Sequence, residues 1–161
     1  MLFTHELVHL FLSLAIGILL AAYFKNKLLI FYALLAGVFV DADHLFDYLL
    51  FKRSLAVDLK EFFSGVYFDI TNKVILPLHG FEYVIILVVL GLFYLRKSRN
   101  TTHLSVLNLR KGSVLLAFGI SLFFHLAYDT IYYRPKWPTY FIFYRLYNNF
   151  DHNTFWNSNG K

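Results

Sequence analysis

The sequence predicts an all-α membrane protein, a four-helix transmembrane bundle with interfacial aromatic segments. Three observations carry that reading. The 161 residues are 58% hydrophobic and 16% charged, with mean hydropathy +0.55, whereas a soluble domain averages about 45–50% apolar and about 25% charged. Four apolar runs, residues 7–24, 28–51, 74–95 and 113–133, each approach the about 20 residues that a bilayer-crossing helix needs. The ionisable residues inside those runs fall in groups at helical spacing, so partners share a face.

The first run, Leu7 to Phe24, has no basic segment before it and reads as a signal anchor rather than a cleaved peptide. Lys25-Asn26-Lys27 is a tight turn, which makes the first two helices antiparallel neighbours. The connection from Lys52 to Lys73 mixes charge with Phe62, Phe63, Tyr67 and Phe68, a pattern that lies in the membrane interface. Arg96 to Lys111 reads as a polar, basic loop. After the fourth run, Arg134-Pro135-Lys136-Trp137-Pro138 leads into TYFIFYRLYNNF, too interrupted for a fifth span but rich in the aromatics that favour the interface. The whole of residues 1–161 is read as one transmembrane domain.

The net charge of +5 and pI near 9.4 do not indicate nucleic acid, because the basic residues sit in short clusters flanking the apolar runs. The expected partner is the lipid bilayer, with no nucleic acid. There is no cysteine, which excludes disulfides, thiolate zinc sites and cysteine nucleophiles. Any metal must be held by nitrogen and oxygen.

His5 pairs with His9, His79 with Glu82, and His125 with Asp129, while Asp41, Asp43, His44 and Asp47 form a cluster of four. Unpaired at membrane depth, that cluster alone would cost more than ~10 kcal/mol on insertion scales of about 2.5–3.5 kcal/mol per charge. In an up-down bundle all these groups fall toward one membrane face, as a shared site requires. The two loops at the other face carry Lys25, Lys27, Arg96, Lys97, Arg99, Arg110 and Lys111 without an acid. Their density makes that face cytoplasmic and turns the site toward the extracytoplasmic side. Imidazole with carboxylate suits a divalent transition metal, with zinc preferred over manganese or iron, as one ion or two. The expected ligands are His5, Asp41, Asp43, His44, His79, His125 and Asp129, with Asp47, Glu82 or Glu6 as the carboxylate that orients an attacking water. His5 to His9 also reads HELVH, the zinc-protease pattern of two histidine ligands and a glutamate base. Either that motif acts as such, or only His5 reaches the shared site.

Thr4-His5, the DxDH of Asp41 to His44, a histidine opening the third run and the late HLxxD of His125 to Asp129 together resemble the YdjM-like family of membrane-bound metal-dependent hydrolases. The likeness runs over nearly the whole chain and includes Asp43 to Tyr48 (DHxxDY), Leu78 to Glu82 (LHxxE) and an aromatic segment ending in an arginine, Tyr140 to Arg145. Val40 departs from it, standing where many members carry proline. The resemblance implies a multi-pass inner-membrane protein with a hydrolase site. A more distant likeness to zinc phospholipase C and nuclease enzymes favours a phosphoester. The expectation is a metal-dependent hydrolase acting on a lipid or lipid-linked substrate, with a zinc protease or a non-catalytic metal-binding or transport protein as alternatives.

Overall fold

The computed structural model describes residues 2–100 and 105–155, and among them every extended regular element is helical. The order is α1 (Leu2–Phe24), α2 (Leu28–Val38), a 3-10 turn (Phe39–Asp41), α3 (Ala42–Lys52), α4 (Leu59–Ser64), α5 (Val66–Thr71), α6 (Phe81–Asn100), α7 (Ser105–Tyr133), a second 3-10 turn (Trp137–Tyr140), α8 (Ile142–Tyr147) and α9 (His152–Phe155). Among the described residues, three segments are long and apolar enough to cross a membrane, His5–Phe24, Leu28–Lys52 and Ser105–Tyr133.

The helices depart from the predicted runs in three places, each for a local reason. The third begins at Phe81 rather than Val74, because Pro77 lacks an N–H and the N–H groups of Ile75, Leu76 and Leu78 are taken by aspartate side chains. With Glu82 at its start and Arg96, Lys97 and Arg99 near its end, α6 is not among the three spanning segments. The second run is interrupted at Phe39–Asp41, where the acidic cluster begins. The expected basic loop is largely helical, since α6 continues to Asn100 and α7 starts at Ser105; residues 101–104 lie outside the described part.

The chain divides into two compact units, Met1–Val40 with Glu82–Ala127, and Asp41–Phe81 with Tyr128–Lys161. The first buries polar side chains such as His9, Ser13, Ser121 and His125 beside a small apolar core and leaves many large apolar side chains exposed. On α1 the buried face runs His5, His9, Ser13, Gly17, Ala21, a strict four-residue repeat, while Phe11, Ile18 and Leu19 are exposed. Lipid is as apolar as leucine, so helices in it associate through close packing and hydrogen bonds rather than by hiding apolar surface. The glycines permit that approach. A Cβ on Gly17 would lie 2.7 Å from the Ile30 Cα, and one on Gly37 only 1.8 Å from the Ser13 Oγ. Gly112 sits against the Gly91 carbonyl, which a Cβ would meet at 2.9 Å. Ser121 Oγ donates to the Ala33 carbonyl at 2.7 Å, tying α7 to α2. Around these contacts Ala21, Leu29 and Ala117 form the core, flanked by Leu20, Phe24, Ile30, Tyr32 and Val114.

The second unit is built on α3. Its C-terminus closes on Arg53, left-handed at φ 50°, whose N–H reaches the Leu49 carbonyl. Asp58 caps α4 by accepting from the Glu61 N–H, and Gly65 at φ 69° turns the chain into α5. These short helices pack Phe62 and Tyr67 around the fully buried Tyr48 ring, whose hydroxyl donates to Glu61 Oε2 at 2.8 Å. The Lys52 ammonium meets the same carboxylate, and those two donors hold the Glu61 carboxyl below its ordinary range. The C-terminal segment closes the unit, with Val74 N–H on the Phe150 carbonyl and His152 N–H on that of Asn72.

Gly112→Ala is expected to cost about 1–3 kcal/mol, the usual penalty of overpacking, because the added methyl meets a backbone carbonyl that cannot rotate away. Leu109→Ala on the exposed surface of α7 serves as the control and stays close to wild type. Thermal unfolding of detergent-purified protein checks both.

Candidate metal centre

Two aspartates one turn apart on α3 organise the site in the second unit. Asp47 Oδ2 accepts from the Ile75 N–H at 2.9 Å, and both its oxygens reach the Leu76 N–H at 3.4 Å. Asp43 Oδ2 accepts from the Leu78 N–H at 2.8 Å and from His79 Nδ1 at 2.9 Å. The loop of residues 72–80 thus finds on α3 the partners that a helix would have supplied internally, as buried backbone groups require. Leu76, buried and at φ 40°, is held in a left-handed conformation that costs a non-glycine residue of order 1–3 kcal/mol.

Those bonds aim His79. With Nδ1 held by Asp43, Nε2 faces carboxylate oxygens, 3.2 Å from Asp41 Oδ1 and 3.8 Å from Asp129 Oδ2. A lone pair facing two carboxylates requires a cation between them, either a proton or a metal ion. His44 Nε2 lies 3.6 Å from the same Asp41 oxygen, and Asp41, His44 and His79 each offer a ligand atom within 4.8 Å of the others. Four-coordinate bonds of about 2.0–2.2 Å place neighbouring ligand atoms about 3.3–3.5 Å apart, so these separations suit a single small ion. Carboxylate, imidazole and metal in series, as Asp43 and His79 are set, is the usual way of fixing a ligating ring.

A second observation points the same way. Asp43 Oδ1 is buried and has no hydrogen-bond partner among the described residues, although the side chain is only 1% exposed. A bare carboxylate oxygen in such a place is costly unless a cation is near. The Tyr140 ring stacks 6.3 Å from His79. Burial, reinforced by the charge of Asp129, holds its phenol far above the ordinary range, so it stays a neutral proton donor.

The first unit collects the other histidines. His5 Nε2 and His9 Nε2 are 2.9 Å apart, His9 stacks on His125 with centroids 3.8 Å apart, and His125 Nδ1 donates to the Gly37 carbonyl at 2.9 Å. All three are buried. Glu6 and Glu82 are half-buried in this unit, Glu82 in the first turn of α6. Asp41, Asp43, His44, Asp47, His79 and Asp129 are brought together in the second unit. There Asp47 spends its carboxylate on backbone N–H groups.

Sequence reading did not single out Arg145 as a site residue, yet it is 2% exposed and donates to three carbonyls of the His79 loop. The available signal was an isolated arginine inside an aromatic run, since a buried guanidinium must find acceptors.

Asp47→Ala would strand two amides and is expected to destabilise the apo protein by about 1.5–3 kcal/mol, the range for hydrogen bonds to charged groups. Asp47→Asn, which keeps an acceptor, should cost less. Thermal unfolding in detergent with chelator present separates these effects from metal binding. No protein-family model, curated protein or solved structure matches the chain.

Proposed function

We propose that the protein is a membrane-embedded, metal-dependent hydrolase that cleaves a phosphoester of a lipid or lipid-linked substrate. The observation that carries this reading is the convergence of Asp41, His44 and His79 within 4.8 Å, beside an Asp43 oxygen that no donor among the described residues satisfies. In it, Asp41, His44 and His79 hold a divalent ion, with zinc the best match to imidazole and carboxylate. Such an ion, when bound, polarises a phosphoryl oxygen and makes water more acidic.

The chain's own groups would do the rest. Asp43 fixes the His79 ring through Nδ1. Asp129, 3.8 Å from His79 Nε2, completes the shell or accepts a proton from water. Tyr140, kept neutral by burial, can donate to a phosphoryl oxygen or a leaving alkoxide. The spanning helices support a substrate delivered from the bilayer, and the resemblance to inner-membrane hydrolases accords with that source.

One feature keeps the zinc-protease reading in play. His5 and His9 present Nε2 atoms 2.9 Å apart, close enough to share an ion, with Glu6 between them in sequence as the base. Glu6→Gln would then abolish peptidase activity while metal stays bound.

The test is elemental analysis of detergent-purified protein, expected to show about one equivalent of zinc, manganese or iron, lost in a His44→Ala, His79→Ala double variant. Hydrolysis of a chromogenic phosphodiester should follow the metal and disappear with chelator. Well-folded wild type that takes up no metal after reconstitution sinks the reading.

A further inference from the structure

Arg145 grips the carbonyls of the His79 loop. Its Nη1 donates to the carbonyls of Ile75 at 2.7 Å and Leu76 at 2.9 Å, and its Nη2 to the carbonyl of His79 itself at 2.5 Å. The same two residues, Ile75 and Leu76, give their N–H groups to Asp47. Each therefore has both backbone groups held by a buried charge of the matching sign. Without helix or strand on this stretch, and with Leu76 in a left-handed conformation, the backbone itself fixes residue 79 only through the turn bonds of the His79 N–H to the Leu76 carbonyl at 3.1 Å and of the Gly80 N–H to the Leu78 carbonyl at 3.0 Å. The grip on the His79 carbonyl adds to these, and the Asp43 bond to Nδ1 then sets the ring.

We infer that Arg145 is a positioning residue of the metal centre, fixing His79 Nε2 toward Asp41 and Asp129 before any ion arrives. A planar guanidinium presents donors along two edges and can hold carbonyls on both sides of a bend at once. A lysine ammonium is a point donor on a flexible stem and cannot span the same set. Held in advance, the ligand need not be ordered on binding, and that saving appears as affinity. The inference rests on the metal-binding reading above.

The experiment is a titration of Zn2+ or Co2+ alone against a competing chelator, on full-length wild type and Arg145→Lys in detergent, with the visible spectrum of the Co2+ form recorded. Arg145→Lys is expected to keep its helical content, bind metal about 10–100-fold more weakly, as loss of support to a ligand typically does, and shift the Co2+ bands. A folded variant with wild-type affinity and spectrum overturns the positioning role while leaving the metal reading intact. Wild type that binds neither ion overturns both. If the variant does not fold, hydrogen exchange on metal-free wild type decides. Slow exchange of the Ile75, Leu76 and Leu78 amides, little changed by Zn2+, supports a loop set in advance. Fast exchange that slows only with metal overturns it.

Discussion

A carboxylate buried in an apolar helix must find donors, and here two of them find the backbone of a single loop. Asp43 and Asp47 stand one turn apart on α3, so they face the same side, and between them they take the N–H groups of Ile75, Leu76 and Leu78. That exchange satisfies the loop amides, both oxygens of Asp47 and one oxygen of Asp43. Those oxygens escape the penalty of an unsatisfied buried group, and the loop is released from having to be a helix. The delayed start of α6, the left-handed Leu76 and the orientation of His79 all follow from it.

The two units solve the problem of polar groups among apolar ones in opposite ways. In the first, the buried polar side chains are chiefly histidines and serines, and hydrogen bonds such as Ser121 to the Ala33 carbonyl are short-range ties between helices that glycines have already brought close. In the second, the donors and acceptors are charged and the backbone is irregular. Irregular backbone among membrane helices is tolerated where protein buries it or where it lines a cavity. Here its amides are held by Asp47 and its carbonyls by Arg145. Rigidity in the first unit comes from packing, whereas in the second it comes from charge-assisted hydrogen bonds, which are directional and fix a ligand better than apolar contacts do.

How far this was legible in the sequence depends on how local the determining interaction is. The turn at Lys25–Lys27 and the apolar runs of α1, α2 and α7 follow from hydrophobic periodicity and composition alone. The grouping of Asp41, His44 and His79 could be anticipated because unpaired ionisable residues among apolar ones demand partners. The start of α6 could not, since hydropathy weighs Val74, Ile75 and Leu76 as helix-forming, while the Ile75 and Leu76 amides go to a side chain some thirty positions earlier and the Val74 amide to the Phe150 carbonyl. Asp47 shows the same limit. A carboxylate at helical spacing from Asp43 looks like a ligand or a base, and only the fold reveals that its oxygens are spent on amides. Arg145 lies in an aromatic segment that reads as interfacial, where an arginine ordinarily reaches for water or phosphate, so its three carbonyl partners were hidden by distance along the chain.

The charge balance of the second unit gives the strongest physical reason to expect an ion in it. Asp41, Asp43, Asp47 and Asp129 converge on the loop, and its carbonyls bring in the Arg145 guanidinium. If all four carboxylates are ionised and His79 is neutral, as ligation through Nε2 requires, three negative charges remain beside Arg145, and a divalent cation would offset two of them. Carboxylates in such company must otherwise take up protons, and a protonated Asp41 could no longer accept from both His44 and His79 as a full anion. Protons can neutralise the cluster, but a proton bridges two groups at a time. Here Asp41 faces two imidazoles while His79 Nε2 faces two carboxylates, an arrangement with more than two donors around one point. A single metal ion can serve them all at once.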